Sequence, residues 1–199
     1  MNSRILVLYD SVDGNTEAMA TAVARGINAV SSCEALLRRT PPVSADTRAT
    51  KAPVPDTGAP YAELADLSAI DGLVMGSPTH FGNMSASMKY FLDQTSRDWM
   101  SGTLTDKPAG VFTSTGSLHG GMEATLLSMM VPLLHHGMVL CGLPYSEPDL
   151  MQTSSGGTPY GPSHWSTENA DRSISEEESR LCTALGRRVA TMARRLKHD

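Results

Sequence analysis

The sequence predicts an α/β fold: a doubly wound parallel sheet of five strands with helices on both faces. Three observations carry that expectation. Short all-apolar runs recur along the chain, helical patterns separate them, and loops rich in glycine and hydroxyl side chains follow the runs. Strands buried on both faces need apolar residues throughout, and a crossover helix is the usual way to join parallel neighbours.

Ile5 to Tyr9 is the first apolar run. A helix from Glu17 to Asn28 follows, with Met19, Ala22, Val23, Gly26 and Ile27 on one side. Glu34 to Leu37 gives a weaker second strand. Pro41, Pro42, Pro53, Pro55 and Pro60 make residues 40–60 a loop, because proline lacks the donor that an interior helix or strand needs. A helical turn at Ala62 to Ala65 leads into a third strand, Gly72 to Gly76. Ser85 to Gln94 reads as a helix on the stripe Met84, Met88, Phe91 and Leu92. Ala109 to Phe112 is the fourth strand, and Glu123 to His136 is a helix that Pro132 should kink or break. Met138 to Cys141 is the fifth strand. The stretch from Leu143 to Arg172, rich in Gly, Pro, Ser and Thr, reads as a long loop insertion. The last helix opens on a capping box, Ser175-Glu-Glu-Glu178. It carries Leu181, Leu185, Val189, Met192 and Leu196 on one face and ends on Arg194, Arg195 and Lys197.

A chain of 199 residues suits one domain spanning 1–199. With 40% hydrophobic and 19% charged residues the composition is that of a globular protein. A net charge of −5 offers no footprint for nucleic acid, and no stretch approaches a membrane span. Cys33, Cys141 and Cys182 are odd in number and lack metal-ligand spacing, as expected of thiols in the cytoplasm.

Three loops at strand carboxyl ends should converge at one edge of the sheet, where ligands bind in folds of this kind. The first is Ser11-Val-Asp-Gly-Asn-Thr16. At a helix start, its backbone N–H groups and hydroxyls suit a small phosphomonoester held by neutral donors. It matches neither the P-loop nor the dinucleotide fingerprint. An ordinary turn would instead use Asn15 or Thr16 to cap the helix. The second loop, Gly76-Ser-Pro-Thr-His-Phe-Gly-Asn-Met84, offers Pro78 to direct the chain and glycines that let backbone approach a planar ring. If it were only a turn, Phe81 would be tucked into the core. The third, Phe112-Thr-Ser-Thr-Gly-Ser-Leu-His-Gly-Gly-Met-Glu123, is dense in hydroxyls and glycine.

These residues resemble the WrbA-type flavodoxin-like NAD(P)H:quinone oxidoreductases. The matching segments include Ser11-Val-Asp-Gly-Asn-Thr16, Ser77-Pro-Thr-His-Phe-Gly-Asn-Met84, and Phe91-Leu-Asp-Gln-Thr95 followed by Trp99. They continue through Phe112-Thr-Ser-Thr-Gly-Ser117, His135-His-Gly-Met138 and Gly156-Gly-Thr-Pro-Tyr-Gly161. The resemblance implies a flavodoxin-like five-stranded sheet of order 2-1-3-4-5, one FMN per subunit, and a homotetramer with active sites near subunit contacts. It implies NADH or NADPH as hydride donor and a quinone as acceptor. By the same resemblance Ser11, Val12, Asp13, Gly14, Asn15 and Thr16 hold the FMN phosphate. Thr79, His80 and Phe81 meet the isoalloxazine through their backbone, flanked by Pro78, Gly82 and Asn83. Ser114, Thr115, Gly116 and Ser117 hold the ring edge and ribityl chain. Trp99 and His136 line the pocket over the flavin where nicotinamide and quinone alternate. Asp13 departs from the pattern, since many relatives have an aromatic residue there, and its carboxylate disfavours a pyrophosphate. Leu118, His119 and Met122 interrupt a loop that is more uniformly Gly and Gln in relatives. The rival classes are a single-electron flavodoxin and a flavin-binding regulatory module without turnover.

Overall fold

The computed structural model describes residues 3–43 and 58–197. In chain order these form β1 (Ser3–Tyr9), α1 (Asn15–Asn28), β2 (Cys33–Arg39), α2 (Ala65–Ser68) and β3 (Gly72–Pro78). There follow α3 (Ala86–Asp93), α4 (Ser96–Met100), β4 (Pro108–Thr115), α5 (Met122–His135) and β5 (Val139–Leu140). The chain then adds α6 (Asp149–Gln152), β6 (Ser163–Trp165) and α7 (Glu176–Leu196). The sheet runs β2-β1-β3-β4-β5 with every pair parallel, as expected. The strand alternation divides the interior into two cores. Ile5, Val7 and Tyr9 of β1 join α1 and α7 on one face, while Leu6 and Leu8 join residues of α3 and α5 on the other.

The structure corrects the expected elements in four places. The sheet has a sixth strand: β6 pairs with β4 from Thr113↔Ser163 to Thr115↔Trp165, beyond the point where β5 leaves at Ala109↔Leu140. The two short strands thus share one edge of β4, and the stretch expected as a plain loop contains β6 and α6. Ser-His-Trp carries no alternating apolar signal, so periodicity could not reveal it. The α2 turn lies three residues later than expected, at Ala65–Ser68. α4, too short to show a period, was not anticipated. Helix α5 continues through Pro132 to His135 without a break. Pro53 and Pro55, part of the loop expected over 40–60, lie outside the described residues.

The capping box of α7 forms as expected, with Ser175 Oγ accepting from Glu178 N–H and the Glu178 carboxylate accepting from Ser175 N–H. Glu178 is also fully buried and meets His164 Nδ1 at 2.8 Å. Burial alone would raise its pKa. Hydrogen bonds from His164 and Ser175 N–H, the charge of His164, and the Gly156 N–H overcome that and bring it down from 4.5 to about 2. A carboxyl depressed on folding stabilises the protein above its unfolded pKa and loses that contribution as pH falls through the folded one. The Glu178 contribution should therefore be constant above pH 5 and fall by on the order of 3 kcal/mol between 4.5 and 2. Calorimetry across that range checks it, with Glu178→Gln expected to flatten the slope.

Candidate active site

Loop 11–16 follows β1 directly. The residue before α1 is Gly14 at φ 86, and no side chain caps the helix, so neither Asn15 nor Thr16 serves that purpose. A Cβ at Gly14 would meet nothing within 4 Å. The left-handed backbone, not space, is what calls for glycine there. Ser11 Oγ accepts from Gly14 N–H at 3.1 Å and Glu17 N–H at 3.4 Å, which shapes the loop. Among the described residues the N–H groups of Asn15 and Thr16 have no protein acceptor, and they stand at the positive end of the α1 dipole. This is the donor set that a phosphate dianion needs.

Loop 79–83 is clipped shut by His80 N–H to Asn83 O at 2.8 Å and Asn83 N–H to His80 O at 3.0 Å. Its tip is Phe81 at φ 53 and Gly82 at φ 74. Phe81 is fully exposed at 109%, so it is not core filler. The base of this loop is tied to β4: Thr79 N–H donates to Ser114 O at 2.8 Å, and Thr79 Oγ1 lies 3.1 Å from Thr113 Oγ1. In the third loop, Thr115 Oγ1 donates to Ser117 O at 2.7 Å.

The three loops meet around a cleft of about 210 Å³. Ser11, Val12, Asp13, Asn15, Thr16, Pro78, Thr79, His80, Ser114, Thr115 and Gly116 line it. Gly14, Phe81, Gly82, Asn83 and Ser117 belong to the same loops but do not line it. Ser166, Thr167, Glu168 and Ala170 form a further wall that the sequence analysis missed. Those positions lie in the supposed loop insertion and show no recognisable motif. Arg39 was missed as well. Its Nη2 donates to Ser11 O at 2.6 Å, bringing a cation from the end of β2 to a loop that has none of its own.

Trp99 and His136 line a second cavity, about 490 Å³, with Asn83, Thr95, Val131 and His135 among its other walls. Trp99 is half exposed and donates Nε1–H to His135 O at 2.7 Å. His136 Nε2 lies 2.9 Å from Thr95 Oγ1, whose single proton goes to Leu92 O at 2.7 Å. Nε2 therefore carries the proton and donates to Thr95. That leaves His136 Nδ1 a buried lone pair without a partner. Burial pushes the imidazole below its ordinary pKa, Asp98 opposes the shift and His135 adds to it. His136 is accordingly a neutral base with an open acceptor. Within one chain the two cavities share no lining residue, so Trp99 and His136 do not stand in the cleft that the three loops form.

The comparisons with known proteins identify the family and the fold. Residues 3–145 match the family model described as NADPH-dependent FMN reductase. The chain is 41% identical to an NAD(P)H dehydrogenase (quinone) of Solidesulfovibrio magneticus, over 97% of this chain and 98% of that one. It is 43% identical to a protein of the same description from Acidithiobacillus ferrooxidans, over 98% of both. Among solved structures it is similar to the flavodoxin, WrbA-like protein from Agrobacterium tumefaciens. That match has a TM-score of 0.70 and 27% identity, covering 98% of this chain and 99% of the other. Oxidised flavodoxin 1 from Bacillus cereus, at 18% identity and TM-score 0.61 over 95% and 98%, shares the fold. The chain belongs to the NADPH-dependent FMN reductase family.

Proposed function

We propose that this protein is an FMN-dependent NAD(P)H:quinone oxidoreductase working in ping-pong order. The observation that carries the reading is the cleft at the carboxyl edge of the sheet. There, unpartnered N–H groups at the start of α1 face the hydroxyl-rich end of β4 across loop 79–83. The residues fit the cofactor. The N–H groups of Asn15 and Thr16 and the hydroxyls of Ser11 and Thr16 would hold a terminal phosphate. Ser114, Thr115 and Gly116 would follow the ribityl chain, and residues 78–81 would present backbone to the ring. A cleft of 210 Å³ is smaller than a whole-ligand pocket, so it would take the phosphate end, with the ring left to the rim. Bound FMN supplies a centre that takes hydride from NAD(P)H and returns two electrons to a quinone. The open rim beside Phe81 lets the donor and the quinone use the same space in turn.

The homotetramer belongs to the same proposal. Leu127, Val131 and Leu134 lie exposed on α5, a helix apolar nearly all round, and Trp99 and Met100 are exposed on α4. A helix apolar on every side is one that expects cover. Subunit contact on this face would bring Trp99 and His136 of one subunit to the cleft of another, joining the two cavities that one chain keeps apart. We also place the protein in the cytoplasm. Among the described residues Cys33, Cys141 and Cys182 are all unpaired, and no helix is long and apolar enough to cross a membrane.

Steady-state turnover tests the reading. FMN-loaded protein should consume NADH or NADPH with benzoquinone in the absence of oxygen, and double-reciprocal plots at several quinone concentrations should be parallel. Intersecting lines would remove the ping-pong order. Nicotinamide oxidation with one-electron acceptors alone would favour an electron carrier, and no oxidation at all would favour a binding module.

A further inference from the structure

The wall at residues 166–170 is strained. Thr167 stands at φ 67 and Ala170 at φ 54. A β-branched residue resists that conformation, which persists only where its surroundings dictate it. Five contacts hold this segment from inside. Ser166 donates to Thr115 O through N–H at 2.8 Å and through Oγ at 3.0 Å. Arg172 N–H returns to Ser166 O at 3.2 Å, with its guanidinium 4.6 Å above the Trp165 ring. Finally, Arg172 O lies 3.0 Å from His164 Nε2. The wall also touches the third loop, since a Cβ on Gly116 would sit 3.4 Å from Thr167 O.

His164 is the link from this wall to the core. It and Glu178 are both 0% exposed. His164 faces a carboxylate oxygen with Nδ1 and a carbonyl oxygen with Nε2, so both bonds form only when each ring nitrogen carries a proton. Glu178 in turn accepts from Gly156 N–H at 2.9 Å, Trp165 N–H at 3.4 Å and Ser175 N–H at 2.8 Å. One carboxylate therefore gathers β6, the turn at Gly156 and the start of α7. A buried ion pair adds little net stability over an apolar replacement. Its consequence here is geometry.

We propose that His164 and Glu178 are positioning residues for the cofactor site: they hold residues 166–170 as the wall that closes the cleft opposite loop 11–16. Neither touches the cleft, and they act through Trp165, Arg172 and Ser166. The inference rests on the flavin reading above. It makes the sixth strand part of the binding machinery rather than an ornament of the sheet edge.

The experiment is titration of each apoprotein with FMN, read by quenching of flavin fluorescence, alongside amide exchange and apoprotein melting. Wild type should bind one FMN. His164→Gln should raise the Kd tenfold or more and speed exchange at residues 166–172 while leaving exchange in loop 11–16 as in wild type. Thr167→Gly removes a side chain that lines the cleft and holds Asp171, while glycine accepts the left-handed backbone there without strain. It should raise the Kd severalfold without lowering the apoprotein melting temperature, a separation that a purely structural role does not produce. Arg180→Ala, on α7, breaks a pair with Asp149 of α6 and should bind FMN as wild type does. A folded His164→Gln that binds within twofold of wild type overturns the proposal. If that variant does not fold, Glu178→Gln, which gives up the charge facing His164 and can keep the Gly156 and Trp165 N–H bonds, takes its place, and binding within twofold of wild type overturns the proposal. Wild type that fails to bind FMN overturns the flavin reading itself.

Discussion

Gly26→Ala should destabilise the protein by about 3 kcal/mol, lowering its melting temperature by roughly 6–12 °C. A Cβ at Gly26 would lie 1.9 Å from Thr183 O and 2.9 Å from Thr183 Cα, all backbone atoms of α7. The contact is reciprocal, since a Cβ at Gly186 would lie 2.1 Å from Val23 O of α1. A side chain can rotate away from a clash, but a helix backbone cannot. The two helices would have to separate, and with them the core that joins Val23 and Ile27 to Leu185 and Val189. Alanine's better helix propensity returns only ~1 kcal/mol. Thr21→Ala, exposed on the same helix, should change stability by no more than ~0.5 kcal/mol. A wild-type melting temperature for Gly26→Ala would mean that the helices do not pack at this spacing.

His136→Ala should lower kcat/KM for NAD(P)H tenfold or more, a loss of ~1.4 kcal/mol or more of transition-state stabilisation. The reason is the unpartnered Nδ1 lone pair, a buried acceptor that the carboxamide N–H of a nicotinamide would satisfy. His136 has one proton and spends it on Thr95. In this state the ring accepts a hydrogen bond and does not donate one to a quinone oxygen. Trp99→Ala should act differently. Its ring is exposed and offers stacking surface to donor and transition state alike, so KM should rise while kcat changes less. Both effects need the assembled protein, because within one chain these residues lie in a cavity apart from the cleft. Light scattering on the same samples should report a tetramer. A monomer with full activity, or variants with wild-type kinetics and lowered melting temperatures, would make both residues structural.

The order of strands and helices was legible because two-sided burial makes the central residues of β1, β3 and β4 apolar runs, and α1 and α7 carry long periodic faces. The three cleft loops were legible for a related reason: glycine and hydroxyl clusters at strand ends have few other uses. What escaped was held by single polar contacts between distant residues. β6 is a strand because Ser163, His164 and Trp165 pair with the end of β4, and nothing in three polar and aromatic residues announces that. Glu178 was visible as half of a capping box, but its second use required His164, which no local pattern connects to it. Arg39 reaches Ser11 across the β1–β2 pair, a neighbour set by register and not by spacing. Phe81 shows the converse case: an aromatic that composition assigns to the core stands outside it, because a left-handed turn holds it there.

The central claim is that loop 11–16 holds the phosphate of FMN with neutral donors, and it is tested most directly by comparing FMN with riboflavin on the apoprotein. The two ligands share the ring and ribityl chain and differ only in the phosphate. If Asn15, Thr16 and Ser11 bind that group, riboflavin should bind at least a hundredfold more weakly, corresponding to about 3 kcal/mol from two hydrogen bonds to a charged group. Thr16→Ala should narrow that gap by weakening FMN alone, by about 1–3 kcal/mol. Equal affinity for FMN and riboflavin would place the phosphate elsewhere and contradict the account.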